Sequence, residues 1–221
     1  MMNRLFIVVE GQTEQEFVNT MLRPWLNGYG IFDVTPILIK TSKHCRGGLI
    51  NAQHLMNTIH GLLCESVDNQ LVVTTFVDFF RIPSNMPGYN DAMSHTSSIE
   101  QVEILESELY KTINDRRFVP YIQRHEFEAL VFSSNVGFEK YCDNRQSFQT
   151  GCIVNSFDNP EDINSSPNTA PSKRLLAIIP GYDKVILGNL LALEIGMEVI
   201  IQRCPRFSAW LTNIIQKCSS K

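Results

Sequence analysis

The run Phe6-Ile7-Val8-Val9 is apolar and mostly β-branched, and it stops abruptly at Glu10, followed by Gly11-Gln12-Thr13-Glu14. Such a run reads as a buried strand, a tight turn and a helix start. A buried parallel strand would not carry a carboxylate at its end for packing, because an unpaired carboxylate taken out of water costs several kcal/mol or must shift its pKa. At the carboxyl edge of an open α/β sheet, where ligands sit, the same group is useful. Leu71-Val72-Val73-Thr74-Thr75-Phe76-Val77-Asp78 repeats the design. Two carboxylate-tipped apolar strands point to a mostly parallel sheet with helices on its faces, a Rossmann-like α/β fold.

Thr13 and Glu16 have the spacing of a capping box, which places Glu14 in the first helical turn and beside Glu10. The plain alternative is that Glu14 complements the helix dipole and Glu10 is a solvated strand end. Phe17, Val18, Met21, Leu22 and Trp25 continue at helical spacing until Asn27-Gly28-Tyr29-Gly30. A second strand is expected over 34–39, with Pro36 favouring the sheet edge. Lys43 and Arg46 lie in a basic, glycine-containing loop just before a helical face at Leu49, Ala52, Leu55, Ile59 and Leu62. A loop of that kind can hold a phosphate at the helix N-terminus, although it lacks P-loop spacing.

Residues 81–96 read as a functional loop beside the crevice, and Val102, Leu105, Leu109 and Ile113 mark a third helix. A fourth strand is expected over 119–124, leading straight into a helix from His125 that carries Glu126 and Glu128. Those two glutamates would lie about 200° apart on that helix, so Glu126, nearer the strand end, is the one expected to face the crevice. His125 reads as a hydrogen-bonded structural group. The polar stretch 135–170 looks irregular, and helices follow over 171–179, 184–195 and 198–215, with a break at Cys204-Pro205.

With 221 residues and 43% hydrophobic content the chain suits one domain with a helical extension, and no stretch approaches a membrane span. The first residues read as a strand rather than a signal peptide. Six scattered cysteines without C-x-x-C spacing fit reduced thiols and a cytoplasmic setting. A net charge of −4 argues against a protein that coats nucleic acid through bulk electrostatics, while leaving room for a local basic groove. Glu10, Glu14, Asp78 and Glu126 or Glu128 make an oxygen-rich set suited to Mg²⁺ or Mn²⁺. Lys184 is placed either to neutralise a phosphate or as a solvated helix-start lysine.

Val9-Glu10-Gly11-Gln12-Thr13-Glu14 resembles the V-E-G-x-T-E signature of Toprim domains, the fold of topoisomerases, primases and overcoming-lysogenization-defect (OLD) nucleases. Val77-Asp78-Phe79-Phe80, Arg124-His125-Glu126-Phe127-Glu128-Ala129-Leu130, Ala170-Pro171-Ser172-Lys173-Arg174, Gly181-Tyr182-Asp183-Lys184 and Arg203-Cys204-Pro205-Arg206-Phe207 resemble a bacterial family of unknown function with a Toprim-like fold. The resemblance spans nearly the whole chain. It implies a Toprim-like core over 1–134, with the irregular connection and C-terminal helices of 135–221 packed on the same domain.

It further implies that Glu10 is a metal ligand or acid/base group, Glu14 a second ligand and Asp78 the first aspartate of a D-x-D motif. The second aspartate is replaced by Phe80. Glu126 or Glu128 takes the place of a later acidic motif, and Lys184 that of a late lysine. Lys43, Arg46, Arg124, Lys173 and Arg174 are the expected contacts to phosphate or nucleic acid. The function implied is a Mg²⁺- or Mn²⁺-dependent nuclease acting on DNA or RNA, in a homodimer and under control of an OLD- or ABC-type ATPase in anti-phage defence or a mobile element. The alternative is a catalytically degenerate binding subunit, motivated by Phe80.

Overall fold

The computed structural model describes residues 4–39, 49–65, 70–163 and 169–219. Its centre is a parallel sheet in which β1 (Arg4–Val9) lies between β2 (Asp33–Leu38) and β3 (Leu71–Asp78). Two short strands, β4 (Phe118–Val119) and β5 (Ile122–Gln123), pair with the far side of β3, also in parallel. All pairs being parallel, every strand delivers its carboxyl end to one edge. Val9 sits opposite Leu38 and Phe76, so Glu10 follows directly beside the end of β3.

Alternation along β1 explains how the sheet is covered. Leu5, Ile7 and Val9 belong to one apolar cluster, Phe6 and Val8 to the other. The first face packs on α1 (Gln12–Phe17), a π turn (Val18–Leu22), α2 (Arg23–Asn27) and the C-terminal helices. The second face packs on α3 (Ala52–Glu65) and α5 (Ser98–Ile113). A strand buried on both faces must be apolar throughout, which is why the sequence shows runs and not alternation. Pro36 lies on the edge strand β2, where its missing N–H disrupts no second ladder.

Three expectations change. The single strand over 119–124 is two pieces, because Pro120 removes a ladder donor. Thr75 patches the gap, its hydroxyl accepting from the Tyr121 N–H and donating to the Tyr121 carbonyl, both at 2.8 Å. The loop over 81–96 contains α4 (Tyr89–Ser94). Residues 135–170, expected to be irregular, carry α7 (Val136–Tyr141) and α8 (Asn144–Val154), after the one-turn α6 (Glu128–Val131).

The chain ends in α9 (Pro171–Ile178), a π turn (Lys184–Gly188), α10 (Asn189–Ile195), α11 (Met197–Arg203) and α12 (Pro205–Ser219). The break at Cys204 falls where Pro205 forbids a continuous helix. Buried Glu161 accepts the Arg206 N–H at 2.8 Å and the Phe207 N–H at 3.2 Å, which caps α12. Among the described residues no single helix is long and apolar enough to cross a membrane.

Trp210 of α12 fixes that helix to the sheet. It stacks on Tyr121 at 4.4 Å between ring centroids, and its indole N–H donates to the buried Thr74 hydroxyl at 2.8 Å. Truncation to alanine removes a large buried side chain and leaves a cavity. Trp210→Ala is expected to cost about 3–5 kcal/mol and Trp210→Phe about 1–2 kcal/mol, measured by urea denaturation. Equal stability of Trp210→Ala and the parent would contradict this packing role.

Candidate functional site

Glu10 leaves the end of β1 and its carboxylate accepts backbone N–H groups from both sides. Leu49 donates to Oε1 and Asp78 to Oε2, each at 3.3 Å. Asp78, last residue of β3, turns back toward the chain that follows β5, and its Oδ1 accepts the Phe127 N–H at 2.9 Å. Two strand-end carboxylates thus join three segments at the carboxyl edge.

Glu14 is brought beneath them by α1. The N-cap is Gly11 and not Thr13, whose side chain is wholly buried within the helix. Glu14 Oε2 accepts the Gly11 N–H at 2.8 Å, and its Oε1 has no hydrogen-bond partner among the described residues. A Cβ at Gly11 would lie 3.2 Å from that same Oε2, so the close turn favours glycine at this point.

Lys184 enters from the C-terminal part. Asp183 accepts the Val185 and Ile186 N–H groups at 2.8 and 3.0 Å, starting the π turn. Asn189 donates to the Val185 carbonyl at 2.9 Å and to the Thr13 carbonyl at 3.2 Å, which ties this turn to α1. Burial disfavours the Lys184 ammonium, but Glu14, Glu128, Asp78 and Glu10 outweigh it and raise its pKa.

The acids feel the converse. Burial first, then Glu14, Glu10 and Glu128, push the Asp78 carboxyl well above its ordinary range. Burial also raises Glu14, with Lys184 opposing and Glu10 adding to the shift. Glu128 is pushed up to about 7, by burial and then by Glu126, against Lys184. Its Oε1 too has no partner among the described residues. Four carboxylates therefore share one ammonium, that of Lys184.

Both glutamates after β5 approach the cluster, contrary to the helical-wheel expectation. His125 takes a left-handed conformation, φ 71°, and α6 begins only at Glu128, so the two side chains are not on one helix. Glu126 lines the cleft and clamps α9, accepting the Ser172 N–H at 3.0 Å and its hydroxyl at 2.9 Å. Glu128 is buried. Burial and the neighbouring Arg124 push the His125 imidazole down to about 4, so it is neutral at pH 7.

Above the cluster opens a cleft of about 460 Å³, lined by the acids Glu10, Asp78 and Glu126 and by the basic residues Lys173, Lys184 and Arg81. Of the basic residues expected to touch phosphate, Lys173 lines this cleft. Arg124 is mostly buried, paired with Asp162 and bonded to Ser98. Arg174 donates to the Thr169 carbonyl at 2.8 Å and stacks on Phe157. Lys43 and Arg46 lie outside the described residues. Gly11, Ser172, Asp183, Asn189 and Arg81 were not read from the sequence as site residues. Asp183 before an apolar run is a helix-start signal that marks where Lys184 is fixed.

Donor chemistry is hard oxygen, and the surplus of buried negative charge with two unpartnered carboxylate oxygens suits a divalent cation. Among the described residues, no group of three or more His, Cys, Asp or Glu side chains is placed to hold a metal ion as they stand.

Because Glu128 is neutral more readily folded than unfolded, its contribution to stability is full below about pH 4.5 and is lost as pH rises through about 7. Glu128→Gln is accordingly expected to raise the cation-free melting temperature at pH 8 and to leave it nearly unchanged at pH 4.5. A difference of order 3 kcal/mol between the two pH values is the scale to look for in thermal denaturation. A pH-independent effect would contradict the buried-charge assignment.

The fold has a counterpart among solved structures. The C-terminal region of the Burkholderia pseudomallei OLD protein aligns over 100% of both chains with a TM-score of 0.51 and 14% identity. The C-terminal region of the Xanthomonas campestris pv. campestris OLD protein aligns over 98% of this chain and 94% of that one, with a TM-score of 0.43 and 16% identity. Among curated proteins none matches. At the level of family the match covers residues 9–215, and the chain belongs to the family described as Domain of unknown function (DUF4276).

Proposed function

We propose that the protein is a Mg²⁺- or Mn²⁺-dependent phosphodiesterase of Toprim type that cleaves DNA or RNA. The observation that carries this reading is the gathering of Glu10, Glu14, Asp78 and Glu128 around Lys184 at the carboxyl edge of the sheet. So many buried carboxylates around one ammonium are destabilising unless a cation or protons offset them. Glu10, Glu14 and Asp78 would hold the ion, with side-chain adjustment to close the ligand set. A bound ion of this class supplies charge stabilisation to a phosphoryl oxygen and an activated water.

The chain's own contributions are positional and electrostatic. Lys184, held by the Asp183 cap, is aimed to neutralise a phosphate oxygen, and Lys173 at the cleft wall draws the anionic backbone in. Glu126 keeps α9 and Lys173 in place through Ser172. The V-E-G-x-T-E resemblance supports the same ligand assignment, and the resemblance to the bacterial family supports an ATPase as the regulating partner. A second reading, a subunit that binds without cleaving, is favoured by Phe80 at the second D-x-D position.

Cleavage of plasmid, single-stranded DNA and tRNA with each cation separates the two. The nuclease reading expects activity in Mg²⁺ or Mn²⁺ that falls at least a hundredfold in Glu10→Gln and in Asp78→Asn, with the fold retained. Activity surviving both substitutions, in protein free of contaminating nuclease, would refute the assignment. Lys184→Ala is expected to lower turnover more than substrate affinity, since one charge-stabilising donor is typically worth about a hundredfold or more in rate.

A further inference from the structure

The wall of the cleft beside Asp78 is built differently from the rest. Phe79 packs into the core beneath the second sheet face, but Phe80 belongs to neither apolar cluster and lines the cleft instead. The exposed Arg81 holds its guanidinium over the Phe80 ring, 5.3 Å from the centroid. Arg81 also has φ 62°, a left-handed backbone that a long side chain rarely adopts and that glycine would take without strain.

That turn is fixed on both sides. The Phe80 N–H donates to the His125 carbonyl at 2.8 Å, and the Ile82 N–H to the Phe79 carbonyl at 3.1 Å. His125, the acceptor, is itself left-handed, so two non-glycine residues in this conformation meet at one corner of the cleft. Strain of this kind persists where the surroundings over-determine it, and it gathers at ligand sites. Its effect here is to present a planar cation layered over an aromatic ring in the lining of a cleft that also carries charged groups. Nearby Ile50, 81% exposed, adds another apolar surface to the same lining.

An aromatic ring and a guanidinium plane are the two side-chain surfaces on which unpaired nucleobases stack, and every base has a π face to offer. A base inside a duplex has no free face. We propose that Phe80 and Arg81 form a stacking shelf that takes one unpaired nucleobase while the adjoining phosphate lies toward Lys184, so that the substrate is single-stranded DNA or RNA. This rests on the phosphodiesterase reading for the phosphate's position. It also gives Phe80 a role that an aspartate there could not perform.

The test uses a short single-stranded oligonucleotide carrying one 2-aminopurine, made in deoxy and ribo forms, titrated with the full chain in Ca²⁺. Stacking quenches 2-aminopurine fluorescence, and the shelf predicts quenching in the parent protein. Phe80→Ala should weaken binding roughly tenfold and abolish the quench, while Phe80→Trp should restore both. Arg81→Gly should weaken binding too, yet melt no lower than the parent, because it removes a strained backbone. An abasic site in place of the 2-aminopurine should bind the parent and Phe80→Ala equally, and the same sequence as a duplex should bind the parent more weakly. Comparison of the deoxy and ribo forms shows which sugar the site prefers.

Unchanged affinity and quenching in Phe80→Ala, or duplex bound as tightly as single strand, would overturn the shelf. Quenching without any cleavage in Mg²⁺ or Mn²⁺ would retain the shelf and refute the nuclease. Cleavage dependent on Glu10 and Asp78 that is indifferent to an abasic site would do the reverse.

Discussion

Like charges buried at one edge of a sheet repel one another, and the surrounding structure is organised by how that repulsion is offset. Glu10 is steadied by two backbone N–H groups, Asp78 by the Phe127 N–H, and Glu14 by the Gly11 N–H. Each bond also sets the course of a chain segment: the approach to α3, the entry to α6 and the first turn of α1. The Lys184 ammonium is coupled to Glu10, Glu14 and Asp78, and to Glu128 as well. Its position depends on Asp183 and Asn189, and Asn189 reaches the Thr13 carbonyl in α1. The N-terminal strand–turn–helix and the C-terminal helices are therefore linked through the cluster itself as well as through the apolar core.

The same arrangement explains why the core is heavily aromatic next to the cleft. Phe17, Phe76, Phe127, Phe207, Trp210 and Tyr121 pack against one another edge-on, tilted or stacked behind the carboxylates. A rigid apolar backing excludes water from one side of Glu14 and Asp78, which is the origin of their raised pKa values. The opposite side opens to the cleft. Groups so placed exchange charge with whatever enters, and a hard cation or a phosphate-bound proton would change their state far more than it would change an exposed carboxylate's.

Much of this was legible in the chain itself. Runs of β-branched residues ending in Glu10 and Asp78 located the sheet and the carboxyl edge where its acids gather, because a doubly covered parallel strand stays apolar until it ends. Lys184 could be placed from the turn before it and from the motif resemblance. Glu128 was harder: a helical wheel started at His125 put it opposite Glu126, whereas the left-handed His125 delays the helix and lets both side chains approach the cluster. Arg124 and Arg174, expected as phosphate contacts, pair instead with Asp162 and Ser98 and with Thr169 and Phe157 in this structure. Side-chain direction on a short irregular segment is set by such local bonds, which spacing does not encode. In 135–170 the helix α8 does have a start signal, Asp143 with Gln146, but Phe148 on its exposed face blurs the apolar periodicity.

The proposed phosphodiesterase depends on whether the carboxylate cluster takes up a divalent ion. Calorimetric titration of the metal-free protein with Mn²⁺ tests this most directly, comparing the parent chain with Glu14→Gln and Asp78→Asn. The account predicts saturable binding in the parent and its loss, or weakening of tenfold or more, in both variants. Absence of binding in the parent, or binding that both variants retain unchanged, would contradict it.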